Sequence, residues 1–242
     1  MELKDKKAMI IGASRGIGEA IAIAFSSAGA DVLLVGRKEV DLLPVAEKIR
    51  AAGGRAYTLV WDIMQVEKAD ETMLQAGKIL NGLDIIVNNA GVIEREAVLQ
   101  VKESTWDYVM NVNLKGTYFS CQAAANYFLA RKQKGKILNI ASETAFQPAP
   151  TPYGISKWGV VGFSMGLAKR LYKQGISLSV IAPGPIATDM MNWQEGKSDA
   201  FPNAFGTLGS PKEVADLAVF LASEKGDRLI GRPVFVSGGL DW

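Results

Sequence analysis

The sequence predicts an α/β fold in which a doubly wound parallel β-sheet of about seven strands carries helices on both faces. Short apolar runs of strand length alternate along the chain with longer segments of helical periodicity. The first run ends in a glycine-rich turn that opens a helix, which is typical of nucleotide-binding α/β proteins. There is no linker, repeat or low-complexity segment, so residues 1–242 are predicted to form a single domain.

Each element follows from this alternation. Strands are predicted where aliphatic and β-branched residues run together, and helices where apolar residues recur every three or four positions. The predicted strands are residues 8–11, 31–35, 55–60, 83–87, 136–141, 176–182 and 233–236. The predicted helices cover residues 19–25, 38–52, 66–80, 104–130, 153–174 and 211–223.

The composition excludes several classes of function. A net charge of +2 offers no electrostatic surface for nucleic acid or an anionic membrane, so neither is predicted as a partner. Histidine is absent and Cys121 is the only cysteine, which excludes a Ser-His-Asp triad and a disulfide, and no metal site is predicted. Without a signal-like apolar core or a membrane-length apolar stretch, the protein is expected to be soluble and cytoplasmic.

A glycine-rich turn, Gly-Ala-Ser-Arg-Gly-Ile-Gly at residues 12–18, follows the first predicted strand. Glycines let the backbone approach a pyrophosphate, and the free N–H groups and positive dipole end of a helix N-terminus favour an anion there. Glycines also end strands for steric reasons, so the turn alone does not establish nucleotide binding.

Tyr153 and Lys157 form a pair that can activate a proton donor. Three prolines disfavour a helix before Tyr153, so this residue is expected in the first turn of the helix that follows Pro152. Side chains four residues apart share a helix face, so the Lys157 ammonium would lie beside the phenol and lower the pKa of Tyr153 towards neutrality. Such a tyrosine is a usable general acid or base for carbonyl reduction or alcohol oxidation. The same spacing also occurs by accident on amphipathic helices.

Five motifs in order make the chain resemble the classical short-chain dehydrogenase/reductase family, including its 3-oxoacyl-[acyl-carrier-protein] reductases, over essentially its whole length. The glycine spacing is the variant found in that family, and Tyr153 and Lys157 match its Tyr-x3-Lys pair. The other motifs are Asn-Asn-Ala-Gly at residues 88–91, Asn-Leu-Lys-Gly beginning at Asn113, and Pro-Gly-Pro-Ile-Ala-Thr at residues 183–188. The resemblance implies a single-domain Rossmann fold and an NAD(P)-dependent oxidoreductase acting on CH–OH groups.

The resemblance also implies which residues hold the cofactor. Asp62 and Ile63 would hold the adenine, residues 89–91 the adenine-side ribose region, and Ile186 and Thr188 the nicotinamide. Residues 88–91 and 188–189 could instead be an ordinary turn and an ordinary helix cap. The full set of candidates is Gly12, Ser14, Arg15, Gly16, Ile17, Gly18, Arg37, Asp62, Ile63, Asn89, Ala90, Gly91, Tyr153, Lys157, Pro183, Gly184, Ile186 and Thr188.

The end of the second strand predicts a preference for NADP(H). A chain that selects NAD carries an acid about 20 residues past the glycines, whereas this chain has Gly36 there, followed by Arg37. Arg15 resembles the basic residue of NADP-preferring members, and a guanidinium suits bidentate phosphate contact. Both arginines could be solvated surface charges, and Glu39 could act as the missing acid, so NAD(H) is the alternative.

The resemblance carries the family's catalytic tetrad onto Asn113, Ser142, Tyr153 and Lys157. Tyr153 would protonate the carbonyl oxygen, to which Ser142 would also hydrogen-bond. Lys157 would lower the pKa of Tyr153 and bind the nicotinamide ribose, and Asn113 would hold a water that links Lys157 to solvent. Ser142 precedes Tyr153 by 11 residues, a shorter spacing than is usual in the family, so Thr144 is an alternative hydroxyl.

Residues 186–208 lie where the family folds a lid over the nicotinamide. An apolar lid predicts a mostly apolar carbonyl substrate, although its aromatic residues could merely pack the lid onto the last helix. Alternatives are a 3-oxoacyl-thioester reductase, a sugar or polyol dehydrogenase, or, in another class, a nucleotide-binding sensor or scaffold without turnover. The large apolar residues are Met190, Met191, Trp193, Phe201 and Phe205 in the lid and Phe146 in the catalytic loop.

The family resemblance further implies a homotetramer. Its contacts would come from the helices predicted at 104–130 and 153–174 and from the strand edge near Phe235. The alternative is that these apolar residues complete the core of the monomer.

Overall fold

One parallel sheet organises the computed structural model, which describes residues 1–239; residues 240–242, the end of the predicted domain, lie outside the described residues. The strands run in the order β3-β2-β1-β4-β5-β6-β7, and all six pairings are parallel. The strands are β1 (Lys7–Ile11), β2 (Asp31–Gly36), β3 (Ala56–Val60), β4 (Ile85–Asn88), β5 (Gly135–Ile140), β6 (Ile176–Pro183) and β7 (Pro233–Val236).

The helices connect these strands across both faces of the sheet. All the predicted strands are present, with ends displaced by two residues at most, and the predicted doubly wound fold is confirmed. The helix predicted at 104–130 is interrupted, because a π-helical turn, Asn111–Gly116, separates α4 from α5. The helices are α1 (Gly16–Ser27), α2 (Glu39–Ala51), α3 (Ala69–Ile79), α4 (Glu103–Met110), α5 (Thr117–Ala130), α6 (Pro152–Leu171) and α7 (Pro211–Ala222).

The central strand β1 is buried on both sides, which explains its unbroken apolar sequence. Met9 and Ile11 pack into one core with residues of α3, α5 and α6, whereas Ala8 and Ile10 pack into the other with residues of α1, α2 and α7. Full burial of a side chain such as Ile10 contributes roughly 1.5–3 kcal/mol to folding, so the two cores hold the sheet rigidly between the helical layers.

The order of strands reverses between β1 and β4, because β2 and β3 extend the sheet to one side of β1 and β4 to β7 to the other. Ligands of open parallel sheets bind at the carboxyl ends of the strands at such a switch point. The glycine turn after β1 and the segment after β4 therefore meet where a nucleotide is expected. None of the helices within residues 1–239 is long and apolar enough to cross a membrane.

Candidate active site

The glycine turn after β1 has no room for a side chain at Gly12 or at Gly18. Gly12 has φ +82°, and a Cβ added to it would lie 2.7 Å from the backbone nitrogen of Ala90. A Cβ on Gly18 would lie 2.0 Å from the carbonyl oxygen of Gly12. Helix α1 begins at Gly16 without a side-chain cap, so its first N–H groups are available to an anion. Ser14 and Ile17 stand in this turn and in the first turn of α1, as the sequence places them.

Two asparagines at the end of β4, Asn88 and Asn89, hold this region together. Asn88 is buried and donates from Nδ2 to Oδ1 of Asn139 on β5 at 2.8 Å. Asn89 donates from Nδ2 to the carbonyl oxygen of Gly12 at 2.8 Å. The Asn89 amide is thus engaged with the glycine turn, and its contact with a ribose stays a prediction.

Gly91, Asn113 and Lys157 converge at one point. A Cβ on Gly91 would lie 3.6 Å from both Asn113 Oδ1 and Lys157 Nζ. Asn113 sits in the π-helical turn, a feature that often marks functional positions. Its Oδ1 accepts from the backbone N–H of Val92 at 2.8 Å, and its Nδ2 donates to the carbonyl of Val92 at 2.9 Å and to Ser156 Oγ at 3.1 Å. Asn113 therefore fixes the start of the loop after β4, and its predicted water remains untested.

Helix α6 places the tyrosine and the lysine on one face, as the sequence predicts. Pro152 is its first residue, and the Thr151 side chain caps it by accepting from the N–H of Gly154 at 3.1 Å. Tyr153 therefore lies in the first turn, and the Nζ of Lys157 lies 5.6 Å from the centre of the Tyr153 ring. The prolines before Tyr153 set where α6 begins, and they thereby place Tyr153 and Lys157 in its first two turns.

The electrostatics of this pair contradict the expected lowering of the tyrosine pKa. Burial raises the pKa of Tyr153, a hydrogen bond with Ser142 opposes that shift, and the charge of Glu94 adds to it. Burial also lowers the pKa of Lys157 to about 8. The Lys157 ammonium donates to the carbonyl of Ile140 at 2.9 Å, and within residues 1–239 no hydrogen bond joins it to the phenol oxygen. Desolvation, which disfavours the charged form of each group, is the largest cause of both pKa shifts.

Ser142 stands at the carboxyl end of β5, within hydrogen-bonding reach of the tyrosine hydroxyl. Its Oγ accepts from the backbone N–H of Thr144 at 3.2 Å and from Thr144 Oγ1 at 2.9 Å. The short 3-10 turn Glu143–Phe146 takes up the reduced spacing between Ser142 and Tyr153. Thr144 thus supports Ser142, and the geometry favours the serine over the threonine as the hydroxyl that faces Tyr153.

The predicted adenine residues follow β3. Asp62 Oδ1 accepts from the backbone N–H of Met64 at 3.0 Å, which folds the segment into a turn. Ile63 is buried, and a Cβ added to Gly116 would lie 2.8 Å from its Cγ1. The Ile63 side chain therefore belongs to the core, which leaves its backbone and Asp62 to face a ligand.

Arg15 within the glycine turn and Arg37 after β2 both have exposed side chains. Arg15 pairs loosely with Asp189, with 3.7 Å between Nε and Oδ2. Arg37, next after β2, donates from Nη1 to the hydroxyl of Tyr108 at 3.2 Å. Exposed contacts of this kind contribute little, so either guanidinium can turn towards a phosphate.

The segment after β6 crosses the glycine turn. A Cβ on Gly16 would lie 3.3 Å from the methyl group of Thr188, which places Thr188 over the start of α1. Gly184, directly after Pro183, allows close approach, because a Cβ there would lie 2.8 Å from Glu143 Oε2. Ile186 is buried in the core, so its side chain does not face the predicted nicotinamide site.

Two acidic residues of the site were missed by the sequence reasoning. Glu143 is buried beside Ser142, and burial raises the pKa of its carboxyl, with a hydrogen bond from Ser237 acting in the opposite direction. Glu94 accepts at Oε2 from the backbone N–H of Tyr153 at 3.0 Å. Each lies just beyond a motif at a strand end. This position was the one feature of the sequence that could have indicated a place in the site.

Known proteins resemble this chain over nearly its full length. The sequence model described as short chain dehydrogenase matches residues 6–198. A 2-dehydro-3-deoxy-D-gluconate 5-dehydrogenase of Escherichia coli (strain K12) is 35% identical, and the alignment covers 98% of this chain and 96% of that protein. A 3-oxoacyl-[acyl-carrier-protein] reductase of Haemophilus influenzae is also 35% identical, with 98% and 99% covered.

Solved structures agree with these similarities. A short chain dehydrogenase from Burkholderia cenocepacia J2315 in complex with NADP superposes with a TM-score of 0.88 at 28% identity, covering 99% of each chain. A dehydrogenase/reductase from Sinorhizobium meliloti 1021 superposes with a TM-score of 0.89 at 30% identity, covering 98% of this chain and 96% of the other. The likeness therefore extends over the whole sheet and both helical layers.

Proposed function

The chain belongs to the short chain dehydrogenase family, and from that premise we propose that it is an NADP(H)-dependent reductase of a mostly apolar ketone or aldehyde, or the corresponding alcohol dehydrogenase. Membership makes it an oxidoreductase that acts on CH–OH groups, as the sequence predicts. The observation that carries the proposal is the position of Tyr153, with Ser142 at its hydroxyl and Lys157 on the same helix face.

The residues around the glycine turn fit a dinucleotide. The family uses NAD(P), and the nicotinamide cofactor predicted from the sequence is confirmed at that level. The turn has no room for side chains at Gly12 or Gly18, as close approach of a pyrophosphate to backbone N–H groups requires. Arg15 and Arg37 would contact the 2′-phosphate that distinguishes NADP from NAD. The bound cofactor supplies or accepts the hydride.

The residues of the chain itself would handle the proton. Tyr153 would donate its hydroxyl proton to the carbonyl oxygen, and Ser142 would hydrogen-bond the same oxygen. Because burial raises the pKa of Tyr153, the phenol is protonated at neutral pH, the form that reduction needs. Lys157, whose pKa is lowered to about 8, is poised to exchange protons near neutrality, with Asn113 beside it.

The substrate class is proposed from the lid, residues 186–208. The large apolar side chains of the lid favour a mostly apolar carbonyl compound. Phe146 of the catalytic loop adds apolar surface, and the centre of its ring lies 4.8 Å from that of Phe235. The relatives act on different compounds by name, one on 2-dehydro-3-deoxy-D-gluconate and another on 3-oxoacyl-[acyl-carrier-protein]. A 3-oxoacyl-thioester reductase and a sugar dehydrogenase are therefore the second candidates. The predicted cytoplasmic location stays a prediction.

A panel of carbonyl compounds tests this proposal by following the consumption of NADPH. The wild type should reduce cyclic or aryl ketones with higher kcat/KM than free sugars. Tyr153→Phe removes only the acidic hydroxyl and should lower turnover by at least about a hundredfold while cofactor binding remains. Turnover in Tyr153→Phe above about a tenth of the wild-type value would contradict the catalytic role, and no reduction of any carbonyl would favour the sensor or scaffold.

A homotetramer is the proposed assembly. Large aromatic side chains are exposed on three helices, among them Trp106 on α4, Tyr118 on α5 and Trp158 on α6. Between these helices lies an apolar groove of about 540 Å³ lined by Leu114 and Phe163. Exposed apolar patches of this kind mark interaction surfaces. Light scattering should report about four times the 26.0 kDa of one chain, and a particle of one chain's mass would contradict the assembly.

A further inference from the structure

The loop after β4, residues 92–96, is fixed between the catalytic helix and the lid. At its start, both backbone groups of Val92 are bonded by the Asn113 amide, at 2.8 and 2.9 Å. Further along, Arg95 donates from Nη2 to the carbonyl of Met190 in the lid at 3.1 Å. A side chain in the middle of this loop therefore has a defined position between α6 and the lid.

Glu94 is that side chain. Its Oε2 accepts from the backbone N–H of Tyr153 at 3.0 Å, although the two residues are far apart in the sequence. Pro152 has no N–H, and the N–H of Gly154 is bonded to Thr151, so Glu94 completes the cap of α6. The helix dipole favours a negative charge there. The charge also reaches the phenol, because it raises the pKa of Tyr153.

The Glu94 carboxylate has no ion-pair partner among the residues that the structure describes. Within residues 1–239 its second oxygen, Oε1, accepts no hydrogen bond. A negative charge is thus held at the start of the helix that carries Tyr153, and it acts on the phenol that protonates the substrate's carbonyl oxygen. A substrate carbonyl that meets Tyr153 therefore enters the electric field of this carboxylate.

We propose that Glu94 determines substrate charge: it disfavours carbonyl compounds that carry a carboxylate beside the reacting group and leaves the site to neutral ones. The inference rests on the proposed reductase function and adds the residue that enforces it. Like charges repel more strongly in a partly buried site than in water, and such repulsion is an effective way to reject a competing substrate.

A keto acid and its own ester provide the test, because they differ mainly in charge. We expect the wild type with NADPH to have a higher kcat/KM for methyl phenylglyoxylate than for phenylglyoxylate. Glu94→Gln keeps an acceptor for the N–H of Tyr153 but removes the negative charge. The ratio of the kcat/KM value for the ester to that for the acid should fall at least about tenfold in this variant, mainly because the KM for the acid falls. Added salt should narrow it in the wild type and have little effect in Glu94→Gln.

Glu96→Gln is the matched control, with the same charge change two residues away. The Glu96 carboxylate accepts from the backbone N–H of Lys102 at 3.2 Å and from Thr105 Oγ1 at 3.1 Å, so its removal should leave the preference unchanged. An unaltered preference in Glu94→Gln, or an equal change in Glu96→Gln, would overturn the role. If the wild type reduces no carbonyl compound of the panel, the reductase function fails by itself. Calorimetric binding of both compounds to the NADPH complex then decides, and an acid bound as tightly as its ester would overturn the role of Glu94.

Discussion

The glycine turn at residues 12–18 and the lid at residues 186–208 lie against each other but are built in opposite ways. The turn is backbone packed on backbone, so that a Cβ on Gly18 would lie 2.0 Å from Gly12 O. In the lid, Met191 and Phe205 are exposed, and Gly196 has open space around it. The turn therefore allows one shape, which suits a cofactor that does not vary, whereas the proposed lid has room to change shape, as a surface that adapts to the substrate would need.

The largest effect is expected from a methyl group in the turn. Gly18→Ala places a Cβ 2.0 Å from the carbonyl of Gly12 and 2.5 Å from Asn89 Nδ2. The hydrogen bond from Asn89 to Gly12 must therefore break or shift. We expect NADPH to bind at least about tenfold more weakly, a loss of about 1.4 kcal/mol, as measured by calorimetry.

The lid supplies the control for this change. Gly196→Ala introduces the same methyl group at a position where no atom lies within 4 Å, although the backbone there has φ +85°. It should leave the Kd for NADPH unchanged and cost only local strain of about 1 kcal/mol. Equal cofactor binding by Gly18→Ala and the wild type would remove the distinction between the two regions.

A smaller effect on cofactor binding is expected at Arg37, where the proposed contact with the cofactor comes from a side chain and not from the backbone. Arg37→Asp places a carboxylate at the end of β2 against the 2′-phosphate and should reduce the preference for NADPH over NADH by up to about tenfold. The ratio of the kcat/KM values for the two cofactors measures this. Lys197→Asp, the same charge change in the lid, should not alter the ratio. If the unmodified protein uses both cofactors equally well, Arg37 has no such role.

The sequence predicted the backbone of the site better than its electrostatics. The strand ends and the start of α6 follow from local patterns, because apolar runs and prolines act on their immediate neighbours. The raised pKa of Tyr153 and the position of Glu94 depend on burial and on a contact between distant parts of the chain. Helical spacing shows that Lys157 shares a face with Tyr153, but it cannot show that the ammonium bonds the carbonyl of Ile140.

The position of Ile63 illustrates the same limit. Its place directly after Asp62 suggests a ligand contact by resemblance, yet close packing against Gly116 turns its side chain into the core. A residue at a strand end can face either the ligand or the helix behind it. That choice is made by tertiary packing, which a local pattern does not contain.

The smallest effect is expected in the lid, where Trp193 is the largest side chain. Its indole nitrogen is buried and has no hydrogen-bond partner within residues 1–239, while its backbone N–H is bonded to the carbonyl of Thr188 at 3.1 Å. Trp193→Ala keeps that backbone bond and removes only apolar area, so the KM for an aryl ketone should rise about threefold to tenfold with a smaller fall in kcat. The Kd for NADPH should stay within about twofold of the wild type, because the glycine turn is untouched. Steady-state kinetics and calorimetry on one preparation separate these effects. A large loss of cofactor binding in Trp193→Ala would show that the lid also holds the cofactor, and the division between a fixed turn and an adaptable lid would then be wrong.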